Sequence, residues 1–297
     1  MGYISNLKVY SSKILKPRKI LVLSDIHYCE KTQEYLYRLL ELGLLNPNDY
    51  EYIFIVGDTI HNALDLNSDI FQYNLLCFLK HLTLNTKTLL APGNHEQMIK
   101  LRTDHWLPHN LKQFIEVVST IPNIDILSNE DNYYDQELHI AAFNPNIAYH
   151  LKYRESDKFF SEELSKVKNK FQPKTYNIFL SHYPRSIIRL SEYNGYCIRD
   201  NSDLVISGHM HNGLVPHALQ SITKNRGFLS PTFGPLPDNA HGIKQIGDTI
   251  FLINGPVTTI ADNRLINQMY GLNCTELELN PSNQTVQNYT LTKQKKV

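Results

Sequence analysis

The sequence lacks several features that would each have assigned it to a familiar class of proteins. Its four cysteines, Cys29, Cys77, Cys197 and Cys274, lie far apart and form no CxxC pair, which favours reduced thiols over a disulfide framework. No apolar run approaches the ~18 residues of a membrane helix. A Walker loop and a dinucleotide fingerprint are absent as well. We therefore expect a cytoplasmic protein without a membrane span, whose chemistry rests on another motif.

The chain also has no formal net charge, because 29 Lys and Arg balance 29 Asp and Glu. A chain without net charge has no overall attraction to nucleic acid, which makes nucleic acid a disfavoured partner. The composition of the 297 residues, 42% hydrophobic and 20% charged, is typical of a globular enzyme. No internal repeat and no linker-like break divides the sequence, so we predict a single domain over residues 1–297.

Hydrophobic periodicity predicts strands that alternate with helices, followed by a β-rich C-terminal part at 228–292. The predicted helices lie at 31–45, 68–82, 111–118 and 156–171. The predicted strands lie at 7–15, 19–23, 52–56, 89–91, 124–127, 138–143, 176–180, 203–206, 249–253, 275–279 and 285–292. We expect the first strand at a sheet edge, the last two joined as a hairpin through 280–283, and 293–297 as a solvated tail. The segment 97–110 has no clear periodicity and predicts a loop over the site.

Metal-ligand side chains follow five of the predicted strands. They are Asp25 and His27, Asp58, Asn94 and His95, His182, and His209 and His211. Open α/β sheets bind ligands at the carboxyl ends of their strands, so these side chains are expected at one edge. A lone histidine is more often a structural residue, but the same pattern after five strands indicates a common site.

Divalent cations explain such a cluster best. Carboxylate, amide and imidazole groups are costly to bury without partners, and a cation satisfies all three. In the Asp-x-His and His-x-His pairs, alternate residues of an extended backbone point the same way and can share one centre. The ligand set suits Mn²⁺, Fe²⁺ or Fe³⁺, Zn²⁺, Co²⁺ or Ni²⁺ and does not select among them.

The motifs resemble those of the calcineurin-like metallophosphoesterases, whose order is DxH, GD, GNH[ED], H and GHxH. In this sequence they read Asp25-Ile26-His27, Gly57-Asp58, Gly93-Asn94-His95-Glu96, His182 and Gly208-His209-Met210-His211, between residues 19 and 211. The resemblance implies the α/β fold of this family, a four-layer α/β/β/α sandwich of two mixed sheets flanked by helices. The surrounding sequence is more weakly similar to the bacterial YkuE-type branch.

By the same resemblance, two divalent ions bind per chain. Asp25, His27 and His211 hold one ion, Asn94, His182 and His209 hold the other, and Asp58 bridges both. His95 approaches the scissile phosphate as a catalytic residue without binding metal. The implied enzyme is a dinuclear hydrolase of phosphoester bonds, with a metal-bridging hydroxide as nucleophile. We expect a phosphorylated small molecule, a phosphodiester or a phosphomonoester, as its substrate.

One position departs from the common pattern. Many members of the family place Asp or Asn three residues after the Asp of the GD motif, whereas this chain has His61 there. A GD-x-x-His motif is similar to the Mre11-like nuclease branch, so a nuclease is the main alternative. A binding module that has lost catalysis is the second alternative.

The substrate-binding residues are not defined by these motifs. His61, Arg185 and His217 are candidates, although a surface ion pair is the default interpretation of Arg185. His241 is a further pocket candidate, and Cys29 is interpreted as a buried thiol because the oxygen and nitrogen ligands already complete the site. The choice of substrate is expected to lie in the loops 97–110 and 228–243.

Overall fold

The computed structural model describes residues 2–43, 45–100, 106–129, 131–145, 164, 171–184, 187–188, 201–231, 234–258 and 272–296. Within these residues, two β-sheets pack face to face. A third, two-stranded ribbon pairs β5 (Met98–Lys100) with β6 (Trp106–Pro108).

The first sheet has seven strands in the order β15-β1-β14-β2-β3-β4-β7. Its strands are β1 (Gly2–Ser11), β2 (Arg18–Leu23), β3 (Tyr52–Val56), β4 (Lys87–Ala91), β7 (Ile124–Ile126), β14 (Asn273–Pro281) and β15 (Asn288–Lys296). The strands β2, β3, β4 and β7 run parallel. Their sequences are short apolar runs such as YIFIV, as expected of strands that are covered on both faces.

The second sheet has six strands in the order β12-β13-β11-β10-β9-β8. Its strands are β8 (Asn132–Asp135), β9 (Leu138–Ala142), β10 (Tyr176–Leu180), β11 (Leu204–Ser207), β12 (Gly242–Ile246) and β13 (Thr249–Ile253). The strands β9, β10, β11 and β13 are parallel, while β8 and β12 are antiparallel at the two edges. Both sheets are therefore mixed, as predicted.

Three apolar clusters define the layers. One lies between the first sheet and the helices α1 (Glu30–Glu41), α2 (Asp69–Thr83) and α3 (Lys112–Val118). The second fills the space between the two sheets, and the third covers the outer face of the second sheet with Leu164, Ile187 and Ile188. The fold is thus the predicted α/β sandwich of two mixed sheets with helices outside.

The helices begin and end close to the predicted bounds. Ser68 caps α2, because its hydroxyl accepts the N–H of Phe71. A four-residue helix, α4 (Gln220–Thr223), was not predicted. The predicted helix at 156–171 lies mostly outside the described residues. Among the residues that the structure describes, no helix combines the length and apolarity needed to cross a bilayer.

The prediction for the chain's first and last strands was wrong. β1 lies between β14, to which it is parallel, and β15, to which it is antiparallel, so β1 is not an edge strand and β14 and β15 form no hairpin. The lysine-rich β15 occupies the edge, where charged residues discourage pairing with other chains. It also includes 293–296, which we had predicted as a tail.

The segment 97–110 is also more ordered than predicted. It contains β5 (Met98–Lys100) and β6 (Trp106–Pro108), which pair antiparallel as a short ribbon directly after the GNHE motif. The residues 101–105 between the two strands lie outside the described part. Too few residues take part in each strand for a period to be visible in the sequence.

Candidate metal centre

The motif residues meet where parallel strands of the two sheets end. β2, β3 and β4 of the first sheet and β10 and β11 of the second each lead into one motif. Backbone bonds tie adjacent loops together: the N–H of Asp25 donates to the carbonyl of Gly57 at 3.0 Å, and the N–H of His27 donates to the carbonyl of Asp58 at 2.8 Å. The motif loops meet as predicted, but the prediction of a single sheet edge was wrong, because three of the strands belong to the first sheet and two to the second.

The first cluster consists of Asp25, His27 and His211. The Nε2 atoms of the two histidines are 3.2 Å apart, and Nε2 of His211 lies 3.3 Å from Oδ1 of Asp25. One ligand atom of each residue lies within 4.8 Å of the others. Three nitrogen and oxygen donors at these separations are able to hold one cation.

The second cluster consists of Asp58, His182 and His209, whose ligand atoms also lie within 4.8 Å of one another. Nε2 of His182 is 2.9 Å from Oδ2 of Asp58. Its Nδ1–H donates to the carbonyl of Val56, which turns Nε2 toward the cluster. The two clusters adjoin, because Oδ1 of Asp25 is 3.8 Å from Nε2 of His182.

Asn94 supplies a direct test of whether a cation fits. Its Oδ1 is buried and has no hydrogen-bond partner among the described residues. A buried amide oxygen without a partner costs about 1–3 kcal/mol. An amide oxygen left open in the GNHE motif matches the oxygen and nitrogen donor set that divalent transition metals bind.

The motif loops adopt backbone conformations that residues other than glycine usually avoid. Five of the residues predicted to bind metal have a positive φ, between 47° and 68°. They are Asp25, His27, Asp58, His209 and His211. Each such residue costs of the order of 1 kcal/mol or more, and this strain is tolerated where the surrounding structure fixes the backbone.

Three motif glycines allow these loops to pack against the predicted ligands. A Cβ on Gly57 would lie 2.2 Å from Nδ1 of His182, and one on Gly93 would lie 2.3 Å from Oδ1 of Asp58. A Cβ on Gly208 would lie 2.7 Å from Oδ2 of Asp25. The glycines are therefore required by close approach, which explains why each precedes a metal-ligand residue in the sequence.

The ionisable groups of the two clusters shift one another's pKa values. Burial alone would raise the pKa of Asp58, but the rings of His182, His95 and His27 outweigh it and hold the pKa well below its usual value. Burial holds the pKa of His27 well below the ordinary histidine value, and His95 lowers it further. An ionised Asp58 and a neutral His27 are the protonation states that metal ligands require.

Glu96 has a role that the sequence analysis did not predict. Its buried carboxylate accepts backbone N–H groups from both loops: Gly93 at 2.7 Å, Asp58 at 3.1 Å, Thr59 at 2.6 Å and Ile60 at 3.1 Å. Burial, and then the charge of Asp58, raise the pKa of Glu96 to about 7, against the effect of the backbone donors. Glu96 thus fixes the loop that carries Asp58.

Replacing Glu96 by Gln tests how much Glu96 stabilises the loop that carries Asp58. The amide NH₂ cannot accept, so two of the four backbone N–H groups lose their acceptor, and we expect a loss of about 2–4 kcal/mol in the free energy of unfolding. Urea denaturation measures it. The matched control is Glu116→Gln on α3, a surface ion pair with Lys112 whose loss is expected to cost less than about 0.5 kcal/mol. Equal stability of the two variants would contradict the role of Glu96.

His95 and His61 form a third group with His27, in which the ligand atoms lie within 4.8 Å of one another. Nδ1–H of His95 donates to the backbone carbonyl of His61, so Nε2 of His95 faces the clusters, 3.7 Å from Oδ2 of Asp58. The backbone N–H of His95 donates to Oδ1 of Asp58 at 2.9 Å. In this chain, the backbone carbonyl of His61 orients the ring of His95.

The remaining substrate candidates are placed differently. The ring of His217 stacks on Tyr3 of β1, with centroids 3.8 Å apart, and His241 is buried with Nε2 3.1 Å from the hydroxyl of Thr223. Arg185 lies outside the described residues. Cys29 is a buried free thiol at the start of α1 and belongs to none of the three groups found among the described residues.

The sequence profile of the calcineurin-like phosphoesterase family matches residues 18–213, which is more than half of the chain. The chain therefore belongs to the calcineurin-like phosphoesterase family, and it is a metal-dependent phosphoesterase, a hydrolase. One solved crystal structure is 15% identical, with a TM-score of 0.45, over 81% of this chain and 91% of its own. A dimetal phosphatase from Danio rerio is 7% identical, with a TM-score of 0.41, over 82% of this chain and 89% of its own. No curated protein matches the chain.

Proposed function

We propose that the protein hydrolyses a phosphodiester or phosphomonoester of a small molecule in the cytoplasm, with two divalent ions per chain. The observation that carries the proposal is the pair of adjoining Asp/His clusters, together with the unpartnered Oδ1 of Asn94. Two ions, when bound, polarise the phosphate oxygens and lower the pKa of a bound water. The chain's own residues position these ions and the phosphate.

The proposed ligands follow the two clusters. Asp25, His27 and His211 hold one ion, and His182, His209 and Asn94 hold the other. Asp58 bridges the two, which is supported by the position of its Oδ2, 2.9 Å from Nε2 of His182 and 3.9 Å from Nε2 of His27.

His95 is proposed to act on the substrate without binding an ion. Its Nδ1–H is engaged by the carbonyl of His61, which leaves Nε2 to contact the phosphate or to donate a proton to the leaving oxygen. The imidazole side chain is 11% exposed and Asp58 beside it is 1% exposed, so His95 is the more accessible of the two side chains.

A substrate panel tests the proposed function. The protein, reconstituted separately with Mn²⁺, Fe²⁺, Zn²⁺, Co²⁺ and Ni²⁺, is assayed on 4-nitrophenyl phosphate, on bis-4-nitrophenyl phosphate and on single-stranded DNA. We expect turnover of a nitrophenyl ester, with Mn²⁺ among the active metals. DNA as the best substrate would instead support the nuclease alternative. Inactivity with every metal and substrate would support the binding module.

Metal binding is expected to release protons. Burial alone would lower the pKa of His182, but Asp58 and Asp25 outweigh it and raise the pKa to about 10 in the metal-free protein. Because Nδ1–H is held by Val56, the additional proton sits on Nε2, the atom that must bind metal. The raised pKa means that this proton is present below pH 10, so affinity should rise with pH by up to about tenfold per unit.

Calorimetric titration of Mn²⁺ between pH 6 and pH 9, in buffers of different ionisation enthalpy, measures the released protons. The protonated His182–Asp58 pair also stabilises the metal-free protein fully below the unfolded pKa of about 6.5, and this stabilisation is lost as the pH rises toward 10. Metal-free protein should therefore lose thermal stability over this range. A pH-independent affinity would contradict the protonation of His182.

A further inference from the structure

Exposed apolar side chains are concentrated in the segment that follows the last metal-binding motif. Of the fourteen large apolar residues that are exposed in the described part of the chain, five lie between 214 and 236. Three of them, Leu214, Phe228 and Leu236, are 37%, 41% and 69% exposed, and we call these three the apolar rim. Exposed apolar groups that cluster in this way mark a binding surface more often than scattered ones do.

The apolar rim is joined to the metal centre through the backbone. The carbonyl of Gly213, two residues after His211, accepts the N–H of Phe228 at 2.7 Å, and the carbonyl of Phe228 accepts the N–H of Leu236 at 3.0 Å. Leu214 follows Gly213 directly and has a positive φ of 52°. Leu214 is therefore part of the turn that carries His211, and hydrogen bonds connect Phe228 and Leu236 to it.

Close glycine packing holds the apolar rim in place. A Cβ on Gly213 would lie 2.3 Å from Cα of Gly227, and a Cβ on Gly227 would lie 2.6 Å from Cα of Gly213. The hydroxyl of Ser230 accepts the N–H of Gly234 at 2.8 Å, and Leu229 and Pro235 form an isolated β-bridge. Preorganised surfaces bind with a smaller entropic cost than mobile ones.

We infer that the apolar rim binds an apolar group of the substrate, so that the enzyme prefers phosphoesters that carry an alkyl or acyl chain. This inference rests on the proposed hydrolysis of phosphoesters and names the class of substrate. The rim residues lie on the turn that carries His211 or are hydrogen-bonded to it in sequence, so an apolar group bound there would lie beside the segment that leads into the metal centre. Each buried methylene then contributes binding energy that a short ester lacks.

Two other occupants fit less well. A stable protein interface uses about 20–30 residues on each side, and the segment 214–236 offers five exposed large apolar side chains. An anionic membrane surface attracts clustered basic residues. Between 214 and 236 the chain has two Lys or Arg residues, Lys224 and Arg226, of which Arg226 is paired with Asp238 at 2.9 Å, and the chain has no net charge.

The test is a series of alkyl 4-nitrophenyl phosphodiesters, from methyl to octyl, that share one leaving group. They are used with the Mn²⁺-reconstituted enzyme below the concentration at which they form micelles. We expect kcat/KM to rise by two- to about fourfold for each added methylene until the rim is covered. Binding of methylphosphonate and octylphosphonate, which are not hydrolysed, is measured by calorimetry and should show the same preference.

The variants Phe228→Ser and Leu236→Ser remove apolar surface from the rim. We expect each to reduce the octyl-to-methyl ratio, in kcat/KM and in phosphonate affinity, by about tenfold or more. The matched control is Ile70→Ser on α2, which removes a side chain that is 75% exposed and should leave the ratio unchanged. Thermal melting confirms that the variants are folded.

The outcomes separate this inference from the function on which it rests. If no ester is hydrolysed, the proposed function fails. If the methyl ester is hydrolysed and the octyl-to-methyl ratio is close to one, the function stands and the apolar rim has another role. A chain-length preference that survives both rim substitutions would overturn the inference. Rim-dependent dimerisation in sedimentation, or rim-dependent binding to phosphatidylglycerol vesicles without a chain-length preference, would also overturn it.

Discussion

Replacement of Asp58 by Asn is expected to remove bound metal together with activity. The Asp58 carboxylate is buried between the two clusters, with Oδ2 2.9 Å from Nε2 of His182 and 3.9 Å from Nε2 of His27. An amide in its place loses one negative charge and presents an NH₂ donor where a cation needs an oxygen. Because even a supporting residue costs about 10–100-fold in metal affinity, the loss of Asp58, which we propose bridges both ions, should cost at least as much.

Elemental analysis after gel filtration, calorimetry of Mn²⁺ binding and an assay on a nitrophenyl ester measure the effect. The matched control is Asp125→Asn on β7, whose partly exposed carboxylate pairs with Lys87 at the start of β4, whereas the GNHE motif follows the other end of that strand. This control should keep both metals and full activity. A folded Asp58→Asn protein that holds two metals tightly would contradict the bridging role.

The sequence predicted the site more accurately than it predicted the order of the strands. His182 and His209 follow strands of the second sheet, so their approach to the motifs of the first sheet depends on how the two sheets pack, which no local pattern records. By contrast, Asp25, Asp58 and Asn94 each follow an apolar run that predicts a buried strand, and β2, β3 and β4 are parallel neighbours, so the meeting of these three followed from local patterns. The placement of β1 between β14 and β15 did not. It depends on pairing between residues about 270 positions apart, such as Tyr3 and Asn273, and no local period records a partner strand.

The role of Glu96 shows a different limit of prediction from sequence. The sequence contains an acid after the GNH residues, but its charge alone suggests a ligand or a surface group. The structure turns the carboxylate back onto four backbone N–H groups, which is a contact of the folded loops. The available signal was spacing: an acid three residues after Gly93 is at the distance from which side chains accept backbone N–H groups at the start of a helical turn.

Backbone strain could not be predicted from the sequence either. A positive φ is uncommon for any residue other than glycine, although Asp and His adopt it more readily than most, and no local pattern predicts it at Asp25, Asp58 and His211. The strain becomes understandable only with the close packing of Gly57, Gly93 and the opposite loops. The sequence therefore identified the chemical groups, and the three-dimensional packing explains how they are held.

His95→Asn is expected to reduce turnover while leaving metal content close to that of the wild type. The backbone N–H of His95 donates to Oδ1 of Asp58, and this bond is kept in any variant. Only the imidazole is lost, whose Nε2 faces the site because Nδ1–H donates to the carbonyl of His61. Positioned acid–base groups contribute about 10²–10⁴-fold in rate, and we expect kcat to fall by that factor.

The dependence on the leaving group separates proton donation from other roles. A nitrophenolate leaves without a proton, whereas a phenol or an alcohol with a high pKa needs one. The loss of kcat in His95→Asn should therefore be smaller for 4-nitrophenyl phosphate than for phenyl phosphate. A group that only binds the phosphate would give equal losses for both substrates.

Three measurements on this one variant distinguish the possible roles of His95. A residue with a purely structural role would lower the melting temperature and the yield of folded protein, and a metal ligand would lower the bound metal. A substrate-facing imidazole leaves both unchanged and lowers kcat. The matched comparison is His241→Asn, a buried histidine that bonds to Thr223 outside the three ligand groups, for which stability should fall and the kcat of the folded fraction should not. Near-wild-type kcat of His95→Asn on phenyl phosphate would remove His95 from the mechanism.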